Sequence, residues 1–400
     1  YNLLVKLNQR NPEVQDYICD VIRYWVSEFD VDGIRLDAAD VLDFDFMRAL
    51  RHTAEEVKPD FWLMGEVIHG DYSRWVNGET LHSVTNYALH KALYSGHNDH
   101  NYFEIAHTVK YLQNMGNLDL YNFVDNHDVE RIYTKLSNKA HFTPVHILLY
   151  TLPGIPSIYY GSEFGIEGRK ERSSDDSLRP ALNITDYKDA VTSNPCTALI
   201  TALGKIRQHT PALSYGSYTE LQLTNRQYAF ARDLDNMRVI ITVNNDDNDA
   251  WMNLPAGNAA EYVGTLTGQK VAVEGGCINV CVGANSGEIW VPTEDTSVPE
   301  TFSENKDSIV EETPVTQEEV KNEGSAETKT APASSIPEAA STKEDTDRTP
   351  ASAEKEPVNF DSNKAPEDMS IEELQAGILA KMANNGPVTD QMKKTVYDNI

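Results

Sequence analysis

Three carboxylate side chains stand at the ends of short apolar runs in this 400-residue sequence. Asp37 closes the run GIRLD, Glu66 the run FWLMGE and Asp128 the run FVDNHD. A buried parallel strand is normally an unbroken apolar run, so a charge at its end indicates a functional requirement. If the strands belong to one closed sheet, their carboxyl ends share a mouth, and we expect the three carboxylates to converge there.

Polar neighbours accompany these carboxylates. Arg35 lies two residues before Asp37, which puts both side chains on the same face of a strand. Asn126 and His127 directly precede Asp128. A helix cap or a surface ion pair would explain any one acidic residue, but it explains three at successive predicted strand ends less well.

Carboxylates grouped in this way suit the cleavage of a glycosidic bond with retention of configuration. The general acid needs apolar walls, which the run FWLM before Glu66 supplies. The nucleophile has to stay ionised, which Arg35 beside Asp37 favours. A third carboxylate stabilises the positive charge of the transition state. Metal-assisted hydrolysis is the rival interpretation, because Asp and His also ligate metals, but the sequence has no HExxH motif.

The overall charge narrows the class of ligand. The chain has 34 basic and 62 acidic residues, a formal net charge of −28 and an isoelectric point near 4.7. Such a chain repels phosphate backbones, which disfavours nucleic acid as a partner. Its apolar runs are shorter than the roughly 20 residues that a membrane span needs, and its four cysteines follow no disulfide or zinc pattern. A neutral, hydroxyl-rich substrate fits better.

The elements that must position these residues alternate between helix and strand up to about residue 209. Asn11 and Pro12 open a helix with apolar residues at intervals of three and four, and strand-like and helical runs then follow each other. This order predicts parallel βαβ units, and hence an α/β barrel or a doubly wound sheet. From about Thr210, short strands separated by turns predict a small antiparallel β-sandwich over 210–292.

The remaining residues form two further predicted segments. Between Thr293 and Phe360 there are 17 acidic and 6 basic residues, with many Ser, Thr, Pro and Ala. A segment of this composition buries too little apolar surface to fold, so 293–366 is predicted to be a disordered acidic linker. A capping box at Ser370 and apolar residues on one helical face predict a short helical hairpin within 367–400.

These motifs, in this order, resemble glycoside hydrolase family 13, the alpha-amylase family. The segments GIRLDAAD (33–40), MGEV (64–67), FVDNHD (123–128) and GIPSIYYGSEFG (154–165) match its nucleophile, acid/base, third-carboxylate and last-strand motifs. The resemblance covers about residues 1–292. It implies a (β/α)8 TIM barrel followed by a small all-β domain, and a retaining hydrolase that acts on α-glucosidic bonds.

The resemblance also assigns roles to residues. It implies that Asp37 is the nucleophile, Glu66 the acid/base and Asp128 the stabiliser of the transition state. Trp75 is expected either to stack on a sugar or to anchor a packed loop. The expected substrate-binding residues are Arg35, His127, Asn126, Trp75 and Arg179.

The subfamily is similar to neopullulanases and cyclomaltodextrinases. The segments LVKLN (4–8) and GEVIHGDYSRWVNG look like their motifs, although Val5 and Ile68 depart from them. The expected substrates are starch-derived maltooligosaccharides with α-1,4 bonds. Cleavage of α-1,6 bonds stays open, as does the preference among maltooligosaccharides, cyclodextrins and pullulan. An α-glucan transglycosylase such as a branching enzyme, or a non-catalytic amylase-fold binding protein, is the alternative.

Further expectations concern the whole protein. The first motif that we recognise precedes the family's fourth barrel strand, so residues 1–209 are expected to hold about strands 4–8, and the isolated chain is expected to be inactive. No cofactor is implied except calcium, and only in the full-length protein. The expected partner is an α-glucan oligosaccharide, without nucleic acid or membrane, and the full-length protein is expected to dimerise. The compartment stays open, with the cytoplasm favoured because no targeting pattern is visible.

Overall fold

The computed structural model describes residues 6–293 of the chain. These residues belong to the first of two units, Tyr1–Glu311. The predicted linker after Thr293 and the predicted hairpin at 367–400 lie outside the described residues.

Helices and short strands alternate in the first two thirds of the described chain, as predicted. Asn11 caps the first helix, because its side chain accepts the backbone N–H of Glu13, and Asp43 caps the second in the same manner. The elements are α1 (Pro12–Phe29), β1 (Gly33–Leu36), α2 (Phe44–Val57), β2 (Trp62–Gly65), β3 (Ser83–Val84), α3 (Tyr87–Asn98), α4 (Tyr102–Gln113), β4 (Tyr121–Phe123), α5 (Ile132–Lys135), α6 (Phe142–Thr151), β5 (Ile155–Ser157), α7 (Ala190–Ser193), α8 (Pro195–His209) and α9 (Pro211–Tyr215).

The strands β1 to β5 run parallel and follow each other in chain order. β1 pairs with β2, β2 with β3, and β4 with β5. A parallel bridge between Thr85 and Tyr121 continues the order from the end of β3 to the start of β4. Helices connect most of the strands, as parallel crossovers require. The predicted α/β class is therefore confirmed.

Antiparallel strands follow from Ser217 onward. One sheet has the order β11-β10-β13-β8-β7-β6 and a second pairs β12 with β9. Buried side chains of both sheets, such as Tyr262 and Val280, form a common apolar core. The strands are β6 (Ser217–Leu223), β7 (Gln227–Leu234), β8 (Met237–Asn244), β9 (Ala250–Pro255), β10 (Glu261–Gly264), β11 (Lys270–Ala272), β12 (Cys277–Val282) and β13 (Ser286–Pro292).

The largest apolar core joins the helices of the first part to the antiparallel strands. Leu148 of α6 and Leu203 of α8 belong to the same buried cluster as Phe230 of β7 and Ile241 of β8. The division into domains at 1–209 and 210–292 therefore stays a prediction. Among the described residues, the helices are too short or too polar to cross a membrane.

Candidate active site

The pairing of β1 with β2 places two of the predicted catalytic residues side by side. Leu36 is in register with Gly65, so Asp37 and Glu66 are the next residue of each strand. The backbone N–H of Glu66 donates to the carbonyl of Leu36 at 2.9 Å, and the N–H of Ala39 donates to the carbonyl of Glu66 at 2.8 Å. The strand ends are therefore fixed by backbone hydrogen bonds on both sides of the carboxylates.

Arg35 connects these two carboxylates. Its Nη1 donates to Asp37 Oδ1 at 2.9 Å, and its Nη2 lies 3.1 Å from Glu66 Oε2. The backbone N–H of Ala38 also donates to Glu66 Oε2, at 3.0 Å. The side chain of Asp37 is 83% exposed, whereas that of Glu66 is 13% exposed. One carboxylate is thus open to the solvent and the other is enclosed, although both contact one guanidinium.

Gly65 gives the chain the room that this arrangement needs. A Cβ atom at this position would lie 2.5 Å from Cδ1 of Leu81 and 2.7 Å from Cβ of Ala39. Both neighbours are fully buried, so neither can move away without disturbing the core. The glycine directly before Glu66 is therefore a packing requirement of the strand end.

The third predicted catalytic residue, Asp128, follows β4 and is held by a different arginine. Arg179 Nη2 donates to Asp128 Oδ1 at 2.9 Å, and Arg179 Nε donates to the carbonyl of His127 at 3.1 Å. Nε2 of His127 lies 3.3 Å from Asp128 Oδ2. The same Nη2 of Arg179 reaches Asp175 Oδ2 at 3.1 Å. The structure thus brings Asp128, His127 and Arg179 together.

Tyr87 links the two groups of carboxylates. Its hydroxyl accepts a hydrogen bond from Nδ2 of Asn126 at 3.1 Å. Burial raises the pKa of Tyr87, the hydrogen bond from Asn126 lowers it, and the negative charges of both Glu66 and Asp128 raise it further. Both carboxylates therefore lie close enough to Tyr87 to act on its phenol. Tyr87 was not among the predicted site residues.

Asn126 orients the loop that carries Asp128. Its Oδ1 accepts the backbone N–H groups of Asp128 at 2.8 Å and Val129 at 3.1 Å. With Nδ2 bound to Tyr87, the amide is engaged at both ends. Asn126 therefore positions Asp128, and its contact with a substrate stays a prediction.

A buried charged network lies next to the site and was also missed by the sequence prediction. Asp125 is 1% exposed and accepts the N–H of Ile132 at 2.8 Å and the hydroxyl of Ser162 at 2.7 Å. Burial raises the pKa of Asp125 to about 6. The fully buried Arg131 donates to Ser162 Oγ at 3.2 Å and to the carbonyl of Leu178 at 2.8 Å. This network ties the loop after β4 to the residue that precedes Arg179.

Trp75 corrects one of the sequence predictions. Its side chain is 5% exposed and packs against Phe44, with the ring centroids 6.4 Å apart, in the core that α2 and β2 share. A buried indole offers no open face for a sugar, so Trp75 is a packed loop anchor and not a substrate-binding residue.

The described residues gather no cluster of metal-ligating side chains. Within 6–293, the His, Cys, Asp and Glu side chains form no group of three or more that could hold a metal ion. The carboxylates of the site are bound by arginines instead.

Interleaved helices and parallel strands with carboxylates at the strand ends are the arrangement of a (β/α)8 barrel-type catalytic domain. A family model described as the alpha-amylase catalytic domain matches residues 1–357, and the chain belongs to this family. This confirms the family that the motifs indicate.

Two curated relatives illustrate the relationship. The chain is 32% identical over 247 residues to a cyclomaltodextrinase of Thermoanaerobacter pseudethanolicus. The aligned segment covers 60% of this chain and 42% of the relative. The chain is 28% identical over 277 residues to neopullulanase 2 of Thermoactinomyces vulgaris, and this aligned segment covers 66% of this chain and 46% of the relative. The chain therefore spans less than half the length of these relatives.

Solved structures are similar in fold. The alpha-amylase of Anoxybacillus superimposes with a TM-score of 0.65 at 25% identity, over 72% of this chain and 65% of that chain. A cyclomaltodextrinase structure superimposes with a TM-score of 0.64 at 24% identity, over 72% of this chain and 50% of that chain.

Proposed function

We propose that the protein is a retaining glycoside hydrolase that cleaves α-1,4 glucosidic bonds in starch-derived maltooligosaccharides, with α-1,6 bonds as a further candidate. The observation that carries the proposal is the bridge of Arg35 between Asp37 and Glu66, because retention requires two carboxyl groups only about 5–5.5 Å apart and a guanidinium that contacts both keeps them close. The alpha-amylase family and relatives named as cyclomaltodextrinase and neopullulanase support the substrate class.

The different exposure of the two carboxylates suggests their roles. Asp37, which projects into the open mouth, attacks the anomeric carbon, while Glu66 gives its proton to the departing glycosidic oxygen. Glu66 then removes a proton from the water that releases the sugar from Asp37. Asp128, held by Arg179, stabilises the positive charge that develops on the sugar ring.

The architecture around the site is part of the proposal. We take β1 to β5 as about strands 4–8 of the barrel, within a partial barrel at 1–209, and the antiparallel sheets as a β-sandwich at 210–292. Within the described residues, β1 pairs with β2 and has no second neighbour. An unpaired edge destabilises a barrel mouth, so we expect the 400-residue chain alone to release no maltose from starch.

The assignment of the nucleophile is tested in the full-length protein. Asp37→Ala is expected to reduce maltose release from starch by about three orders of magnitude or more. Its melting temperature, followed by circular dichroism, should stay unchanged because the side chain is mostly exposed. The control is Asp40→Ala, which removes another exposed aspartate three residues away and should keep full activity. Near-normal turnover of Asp37→Ala would refute the assignment.

Glucan transfer is a second candidate function. A cyclomaltodextrin glucanotransferase of a Bacillus species is 26% identical over 316 residues, which is 74% of this chain. Product analysis separates the candidates: hydrolysis of a linear glucan releases short sugars with free reducing ends, whereas transfer gives new linkages or cyclic products. A non-catalytic binding protein would release neither.

A further inference from the structure

The antiparallel sheets expose a tryptophan that the fold does not use. Trp251 lies on β9 and is 68% exposed, although tryptophan is highly buried on average in folded proteins. The next residue on the strand, Met252, is 1% exposed and belongs to the core between the two sheets. The indole therefore points away from the core as part of the regular alternation of the strand.

Trp251 belongs to a small face formed by β9 and β12. The inward side chains of both strands, such as Met252 and Val280, are buried. The outward side chains form three cross-strand pairs, which we call the Trp251 face: Trp251 with Cys281, Asn253 with Asn279, and Pro255 with Cys277.

The chemistry of the Trp251 face is unusual for this chain. None of its six residues is charged, in a protein with a formal net charge of −28. Within residues 6–293, Nε1 of Trp251 and the side-chain amides of Asn253 and Asn279 have no hydrogen-bond partner. The face thus combines a flat aromatic surface with free hydrogen-bonding groups and carries no ionic attraction for a charged partner.

We propose that the Trp251 face binds an α-glucan chain outside the catalytic site, a proposal that takes its ligand from the proposed function. The apolar C–H side of a glucose ring packs on the indole. The amides of Asn253 and Asn279, one step of about 7 Å further along the strands, bond to hydroxyl groups of the next sugar. A neutral ligand suits an uncharged face.

A second copy of the chain is a poorer occupant. A stable protein interface usually needs about 20–30 residues on each side, whereas the Trp251 face offers six. A glucan chain needs only a platform a few sugars long. The polymer would then stay attached to the protein between catalytic events.

The experiment compares the full-length protein with Trp251→Ala and with Tyr215→Ala as the matched control. Tyr215 is 80% exposed but lies in α9, outside the Trp251 face. Affinity electrophoresis in gels with amylopectin should show binding about three- to tenfold weaker for Trp251→Ala and unchanged for Tyr215→Ala. Asn253→Ala should weaken binding in the same direction. Hydrolysis of a short p-nitrophenyl maltooligosaccharide should keep its kcat and KM in all three variants.

The outcomes separate this proposal from the proposed function. Equal amylopectin binding by Trp251→Ala and the unchanged protein would overturn the Trp251 site, even if the short substrate is hydrolysed. A change of molecular mass in solution by Trp251→Ala, without a change in amylopectin binding, would also overturn it and indicate self-association. If the short substrate is not hydrolysed but amylopectin binding still depends on Trp251, the proposed function fails and the Trp251 site stands.

Discussion

The two halves of the parallel sheet hold their carboxylates in different ways. In the first half, residues 6–84, the buried polar side chains outside the aromatic residues are three hydroxyls, Thr53, Thr80 and Ser83. In the second half, residues 85–213, the buried side chains include charged and titratable groups: His90, His97, Asp125, Arg131, His141 and His146.

In the first half, the residues that hold the carboxylates contribute little to the stability of the fold. In the second half, the residues that hold the carboxylate also stabilise the fold. Asp37 and Glu66 are placed by backbone pairing between β1 and β2, above an apolar core. Asp128 follows a loop that the buried pair of Asp125 and Arg131 ties down through Ser162. Substitutions of the polar side chains that hold the first two carboxylates should therefore change the chemistry alone, whereas substitutions beneath the third should also unfold the protein.

The largest effect is expected for Arg131→Met. It removes the donors to Ser162 Oγ and to the carbonyl of Leu178, and it takes away the guanidinium charge that favours the ionised form of the buried Asp125. We expect the free energy of unfolding of the full-length protein to fall by about 3–5 kcal/mol, measured by urea denaturation at neutral pH.

Arg35→Met is the matched control from the first half. Its side chain is 32% exposed and lies above the apolar core, so we expect a loss of stability below about 1 kcal/mol together with a loss of activity. If both variants lose the same stability, the contrast between the two halves is wrong.

A smaller effect is expected for Arg179→Met, which removes the outer cation of the second half. Its side chain is 45% exposed and contacts Asp128 and Asp175. We expect kcat/KM for maltooligosaccharides to fall about 10- to 100-fold and the free energy of unfolding to change by less than about 1 kcal/mol. A stability loss as large as that of Arg131→Met would show that the outer and buried arginines act as one unit.

The sequence predicted the features of the site that depend on local pattern. The cap of α1 by Asn11 and the strand ends at Asp37 and Glu66 follow from spacing and motifs. Each of these features depends on residues that are close together in the sequence.

The remaining features depend on contacts between distant segments. Arg131 is buried because carbonyls of the loops after β5, such as those of Tyr160 and Leu178, accept hydrogen bonds from its guanidinium. From sequence alone an arginine is expected at the surface, so its burial was not predicted. Trp75 is buried because Phe44 of α2 covers it. Tyr87 belongs to the site through its position at the start of α3.

Because the second half, residues 85–213, contains buried histidines, we expect acid to lower the stability of the protein. Burial lowers the pKa of His90 and of His97 to about 3 and the pKa of His146 to about 4. Because histidines in the unfolded chain titrate near pH 6.5, the unfolded state binds more protons below that pH, and stability falls as the pH drops from about 7 toward 4. Asp125 acts in the opposite direction: its raised pKa, about 6, means that the folded state binds the extra proton between about pH 4 and 6.

His146→Asn isolates one of these groups. Asparagine does not titrate and can still donate to the carbonyl of Phe142, which Nδ1 of His146 contacts at 2.7 Å. The stability that the full-length protein loses between pH 7 and pH 5 should be about 2 kcal/mol smaller in this variant, measured by urea denaturation at both pH values. The control is His107→Asn, an exposed position on α4, which should lose as much stability as the unchanged protein. Equal losses in all three proteins would mean that His146 is not the source of the acid sensitivity, because a group that titrates alike in both states adds nothing to the slope.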